Sequence, residues 1–385
     1  MKPEFNSLFQ SFTLRSGVVL DNRVVLAPMT NFSSDAQGNV TDDELAYYAR
    51  RSNGVGLVIT ACTNVTRNGQ GFPGEFAAYD DRFVPSLTRL ARTVQGEGAK
   101  ALLQIFHAGR MAPAALVDGD VVSASAVSPV RDGAEQAPAP APRELSGEEV
   151  DEIVRAFGEA TRRAIESGYD GVEIHGANGY LIQQFFSPHS NRRTDRWGGS
   201  LEARMAFPLA VVDEVQRVVA EHATGPFAVG YRFSPEEPET PGITMDDSLA
   251  LVDVLADKGM DYLHISLMEY ASLPRRASDT ASSRLEQIVA KVAGRTPVMG
   301  VGSVHTPEQA AQVLKMGAEF VALGRELLMD PDWVAKVRDG REAELETVLD
   351  VEGQDRLVIA TPLWNALVNT PGWLPLSKKP EAVTA

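Results

Sequence analysis

The 385-residue chain carries a net charge of −16 and a pI near 4.9, a surface field that repels nucleic-acid phosphates and anionic membranes. Its hydrophobic share of 44% and charged share of 23% are those of a globular protein able to bury a large core. A single cysteine, Cys62, excludes an internal disulfide and a four-cysteine iron–sulfur cluster. No run reaches the roughly 18 apolar residues of a membrane span and no signal peptide opens the chain, so a cytoplasmic location is expected.

The first strand is VVLAP near residue 24, and it runs into Ala27-Pro28-Met29-Thr30 without a following GxGxxG. Thr41-Asp42-Asp43-Glu44 then starts a helix, and VGLVITA near 55 and ALLQIF near 101 supply strands two and three. The longest gap between strands, about 112–145, reads as a rim excursion: VVSASAVSP predicts a short hairpin, and the Ala-Pro repeat in DGAEQAPAPAPREL a mobile loop. Ser146-Gly147-Glu148-Glu149 is a capping-box form ahead of a long amphipathic helix. GVEIH near 171 is strand four, Ser200-Leu201-Glu202 opens the next helix, and FAVGYRF near 227, YLHIS near 262, PVMGV near 297 and FVALG near 320 complete the strands. Thr306-Pro307-Glu308 begins a helix with proline at its first position. After about Gly340, LWNALVNTPGWLPLSKK predicts a terminal helix and tail, over 341–385, that packs on the barrel or on a partner subunit.

Eight alternating βα units close a TIM (β/α)8 barrel more readily than an open doubly wound sheet, which has fewer strands and a Gly-rich first turn. The prediction is one barrel over 1–340. Its chemistry then belongs at the carboxyl ends of the strands. The residues there are Thr30, Ala61, Gln104 with His107, His175 with Asn178 and Tyr180, Arg232, Ser266, Gly302 with Ser303, and Gly324 with Arg325.

Strands seven and eight end in GVGS and LGRE, which offer small residues, free backbone N–H groups and one guanidinium at neighbouring positions, a set suited to phosphate. No carboxylate flanks His175 or His264 at that rim, so no metal is expected. No lysine ends a strand, which argues against a Schiff base. A nucleophile of Thr30, Ser266 or Cys62 with His175 as base stays open, without an obvious orienting carboxylate. So does a flavin-free lyase or isomerase acting on a phosphorylated molecule. A phosphate-bearing ligand among neutral donors, with Arg232 as the one deep cation, fits best, and flavin mononucleotide (FMN) matches that inventory.

LAPMT, QIFHAGR, DGVEIHGANGYLIQQFFSPHSNRRTDRWGGS and GVGSVHTPEQA with GAEFVALGRELLMDPDW, in that order, resemble the old yellow enzymes, FMN-dependent ene-reductases on a TIM barrel. The resemblance spans roughly residues 5–340. It implies that Ala27, Pro28, Met29 and Thr30 line a tightly but non-covalently bound FMN, with Thr30 at flavin O4. Ala61 and Gln104 would contact the ring, Arg232 would face N1, and Gly302, Ser303, Gly324 and Arg325 would hold the phosphate. His175 and Asn178 would bond the carbonyl or nitro oxygen of a small substrate, so that its β-carbon accepts hydride from flavin N5, and Tyr180 would protonate the α-carbon. Phe32 stands where many relatives have a substrate-reaching tyrosine, and Glu202-Ala203-Arg204 replaces the usual Glu-Asn-Arg. The implied reaction is NADH- or NADPH-driven, ping-pong reduction of enones, maleimides or nitroalkenes, with no iron–sulfur cluster and with homo-oligomerisation open. Demethylase, nitro-ester reductase and diaphorase roles are alternatives on the same fold.

Overall fold

The computed structural model describes residues 1–129, 140–276 and 282–377. Eight short, β-branched runs form the strands β1 Val24–Leu26, β2 Leu57–Asn64, β3 Lys100–Phe106, β4 Gly171–Gly176, β5 Ala228–Phe233, β6 Tyr262–Ile265, β7 Val298–Val301 and β8 Phe320–Leu323. Each pairs in parallel with its sequence neighbours, and β8 pairs with β1, so the barrel closes. All eight strands lie where the apolar runs predict them.

Every residue of β2 and β4 is buried, as parallel strands require when helices cover one face and a barrel interior the other. Inward side chains such as Val25, Leu57, Leu102, Tyr262 and Phe320 form one cluster, and the outward set packs under the helices in another. An antiparallel pair, Phe12–Thr13 with Val19–Leu20, delivers Leu14, Val18 and Leu20 into the inner cluster. That pair covers the amino end of the barrel, with Phe12 edge-on to Phe320 at 5.0 Å between centroids. The carboxyl end is left for chemistry.

The helix starts fall at the expected residues. Thr41, Ser146 and Thr306 each make a reciprocal capping box with the third helical residue, and Ser200 caps Leu201–His222 through the Ala203 N–H. Such caps satisfy donors that the first helical turn otherwise leaves unpaired.

The rim excursion differs from expectation. Val122–Ser123 pairs with Arg143–Glu144 in parallel, not as a hairpin. A parallel pair needs a connection longer than a tight turn, and the span 124–142 has that length in sequence. Residues 130–139, with the first half of the Ala-Pro repeat, lie outside the described residues, as do 378–385. The C-terminal helix Thr361–Asn369 contributes Leu363, Trp364 and Leu367 to the outer core, and Arg51 donates to the carbonyls of Leu357 and Val358.

Candidate active site

Three side chains stand in register across β4, β5 and β6: His175 opposite Arg232, and Arg232 opposite His264. One layer deeper, Glu173 has zero exposure and accepts from the Gln104 amide (2.7 Å), the Tyr262 hydroxyl (3.0 Å) and His264 Nδ1 (2.9 Å). Tyr262 reaches it by crossing Gly230, where an added Cβ would lie 2.1 Å from the Tyr262 ring. Burial works to raise the Glu173 carboxyl, but His264, Arg232 and Gln104 together bring it below the ordinary range. Burial in turn keeps His264 neutral. The buried charges are thus Glu173 and Arg232, and among the described residues Arg232 Nε has no protein partner. An unsatisfied guanidinium N–H this deep is a donor available to a ligand.

Because the Gln104 NH2 donates to Glu173, the side chain is oriented with its carbonyl oxygen as an acceptor on the other side. The same logic fixes His175 and Asn178. His175 Nδ1 accepts the Ala177 N–H at 3.2 Å, and burial next to Arg232 pushes the imidazole pKa down to about 3. The ring is therefore neutral with its proton on Nε2. Asn178 Oδ1 accepts from Ser266 Oγ at 2.8 Å, which leaves the Nδ2 hydrogens as donors. Asn178 sits at φ 58°, in the left-handed region that Asn tolerates better than most side chains, and its N–H is held by Ser234 Oγ at 2.9 Å.

Tyr180 occupies the position just before the helix Leu181–Phe186, without a capping bond from its side chain, and its ring stands edge-on to His175 (5.0 Å), Phe106 (5.1 Å) and Phe72 (6.3 Å). Phe32, at φ 56°, closes the box against Phe72 at 5.7 Å. Burial raises the Tyr180 hydroxyl above its ordinary value, with the surroundings of Cys62 and Glu75 adding to the shift. The turn carrying these residues is pinned by Gln184, which accepts from Arg110 N–H and Ser123 Oγ and donates to the carbonyls of Ala108 and Gly179.

A cavity of about 170 Å³ next to this box is lined by Ala27, Pro28, Met29, Arg232, Gly302, Ser303, Gly324 and Arg325, with Leu267, Met268 and Trp373. Gly302 has φ +132°, and an added Cβ would lie 2.8 Å from the Tyr270 nitrogen; only glycine fits. Arg325 Nη2 donates to Ser303 Oγ, which also donates to Glu269. A groove that ends in small residues, backbone N–H groups and one guanidinium, with buried Arg232 on its wall, suits a phosphate joined to a polar ring, which is what FMN presents.

The ladder between β2 and β3 slips between Ile59 and Cys62, so the alternation that would turn Ala61 inward is offset by one residue. Ala61 joins the outer core and its N–H donates to Tyr48 Oη at 2.7 Å. Cys62 turns in beside Tyr180 and Phe106, with its sulfur 3.8 Å from Thr30 Oγ1. Burial keeps that thiol protonated. Phe72, Phe106 and Glu173 were not singled out as site residues from sequence, although Phe106 follows Gln104 at the two-residue period of an inward strand face.

A sequence model of the NADH:flavin oxidoreductase / NADH oxidase family matches residues 7–344. The chain belongs to that family. It is 51% identical over 376 residues to the probable NADH-dependent flavin oxidoreductase YqiG of Bacillus subtilis, covering 97% of this chain and 99% of the relative. To the NADH:acrylate oxidoreductase of Vibrio harveyi it is 41% identical over 94% of its own length, yet it spans only 36% of that longer protein. Morphinone reductase in complex with tetrahydroNAD superposes with a TM-score of 0.72 at 27% identity, over 87% of this chain and 91% of that one. The protein is thus an oxidoreductase of the old yellow enzyme family, which uses FMN and a nicotinamide coenzyme. Among its described residues no helix is long and apolar enough to cross a membrane.

Proposed function

We propose that this family member reduces a carbon–carbon double bond activated by a neighbouring carbonyl or nitro group, at the expense of NADH or NADPH. The observation that carries the reading is the pair of fixed donors. His175 Nε2 and Asn178 Nδ2 are each left as donors because Nδ1 and Oδ1 already accept. Two neutral donors on one substrate oxygen draw electron density from the alkene, and they favour the enolate-like charge of the transition state over the ground state.

FMN would be held by Ala27, Pro28, Met29, Thr30, Gln104, Arg232, Gly302, Ser303, Gly324 and Arg325, with Cys62 beside Ala61 at the ring. The chemistry supplied by the bound cofactor is hydride transfer, out of the coenzyme and into the alkene. Tyr180 gives its hydroxyl proton to the α-carbon as the β-carbon receives hydride, so the two atoms of hydrogen add across the former double bond. Water then restores the tyrosine. Burial raises the Tyr180 hydroxyl, which keeps the proton in place until carbanion character develops. Phe32, Phe72 and Phe106 exclude water around the reacting carbons. Coenzyme and alkene would enter from the same opening in turn, giving ping-pong kinetics. The acrylate for which the Vibrio harveyi relative is named is an activated alkene, which supports this substrate class.

The two half-reactions separate the roles. Tyr180→Phe is expected to slow alkene reduction by about 10²–10⁴ while flavin bleaching by NADH or NADPH keeps its wild-type rate in anaerobic stopped flow. Equal loss in both would remove Tyr180 from the proton step.

A further inference from the structure

We infer that Trp373 is a cofactor-binding residue, set by the C-terminal segment against the FMN groove. This rests on the flavin reading above. The indole lines the same cavity as Ser303, His305 and Arg325, a cavity that His175, Asn178 and Tyr180 do not line. Trp373 therefore belongs to the cofactor side of the site. It also lies beyond residue 344, where the family match stops.

The segment is tied down on both flanks. Before it, the helix Thr361–Asn369 is seated by buried Leu363 and Leu367. After it, Leu374 is 5% exposed, the Leu349 N–H donates to the Pro375 carbonyl at 2.8 Å, the Ser377 N–H to the Leu349 carbonyl at 2.9 Å, and the Val351 N–H to Ser377 Oγ at 3.1 Å. Anchors on either side hold a large aromatic ring that is itself only half-buried. Its remaining surface borders the groove, opposite Leu267 and Met268, and Met268 is 73% exposed. A tryptophan presented on a fixed backbone loses little rotational freedom when a ligand covers it, and aromatic contact with a flat or apolar ligand surface strengthens binding beyond the area buried. The tail thus completes the wall of a groove whose other sides come from the barrel.

The test is FMN release on dilution of the holoenzyme, read as recovery of free flavin fluorescence, for the wild type, Trp373→Ala and Trp373→Phe. Trp373→Ala is expected to raise the FMN dissociation constant about tenfold, with Trp373→Phe close to the wild type. Trp373 also packs against the outer core, so the FMN dissociation constants are compared at a temperature where all three apoproteins are folded. In the Phe variant, tryptophan emission should be quenched less by FMN than in the wild type. Equal dissociation constants for all three proteins overturn the inference, as does a lower apoprotein melting temperature with unchanged FMN affinity. A wild type that holds no FMN sinks the flavin reading and this inference together; wild-type retention with an indifferent Trp373→Ala sinks this one alone.

Discussion

His175 illustrates how much a single buried hydrogen bond decides. Its pKa of about 3 lies well below the ordinary 6.5, chiefly through burial and then through Arg232, so the folded protein refuses a proton that the unfolded chain accepts. Stability from this group is intact above pH 6.5 and declines as pH falls from 6.5 toward 3. For catalysis the consequence is the reverse of a pH switch. The rate of the alkene half-reaction is expected to cross pH 6.5 without an inflection, because the Nε2 donor is present on both sides. A step near 6.5 in the stopped-flow pH profile that vanishes in His175→Asn would show that the imidazole titrates. The His-x-x-Asn-x-Tyr spacing was legible in the sequence, since three polar groups follow an apolar strand. What was not legible is the direction in which each donates: that depends on Ala177, Ser266 and Glu173, whose partners are far along the chain or hidden in backbone geometry. Cys62 was obscured for another reason. Alternation from Leu57 and Ile59 points to Ala61, and the slip in the ladder that brings Cys62 inward leaves no mark in composition.

The elements were read more completely than the site, because strands with unbroken apolar runs and helices with capping boxes announce themselves locally. GVEIH and FVALG fell where they were expected, and so did the helices after Thr41, Ser146, Ser200 and Thr306. Val122 and Arg143 did not, since two-residue ladders carry too little pattern to give their direction. Two element-level consequences are testable. Gly302→Ala places a methyl group against the Tyr270 nitrogen at a φ of +132°, a region that costs a non-glycine residue on the order of 1–3 kcal/mol. The variant should lose FMN affinity and melt lower, and unaltered flavin retention on gel filtration would contradict the placement of the phosphate. Gln184 joins the β3 and β4 loops through four hydrogen bonds. Gln184→Ala leaves several of those partners without a mate at roughly 1–3 kcal/mol each. Denaturant unfolding should show that loss, and alkene reduction should fall more than flavin reduction, because the Asn178–Tyr180 turn hangs from this side chain.

At the carboxyl end of the barrel Arg232 borders two neighbouring cavities, one lined by Gly302, Ser303, Gly324 and Arg325 and the other by Asn178, Ser234 and Ser266. The chain carries a net charge of −16. Long-range attraction of anionic ligands by the surface is therefore weak, and recognition falls to the few cations inside. Residues 345–377 extend past the family match and add core to the outside of the barrel through Leu349, Leu357, Leu363 and Leu367. The central claim, that the fixed donors and Tyr180 serve an activated alkene, is tested most directly by reducing the enzyme anaerobically with NADH or NADPH and then mixing it with a maleimide. The yellow absorbance should return with stoichiometric succinimide, at a rate that rises with maleimide concentration and then saturates. An enzyme that is bleached by the coenzyme but stays bleached with maleimides, enones and nitroalkenes alike would contradict the account.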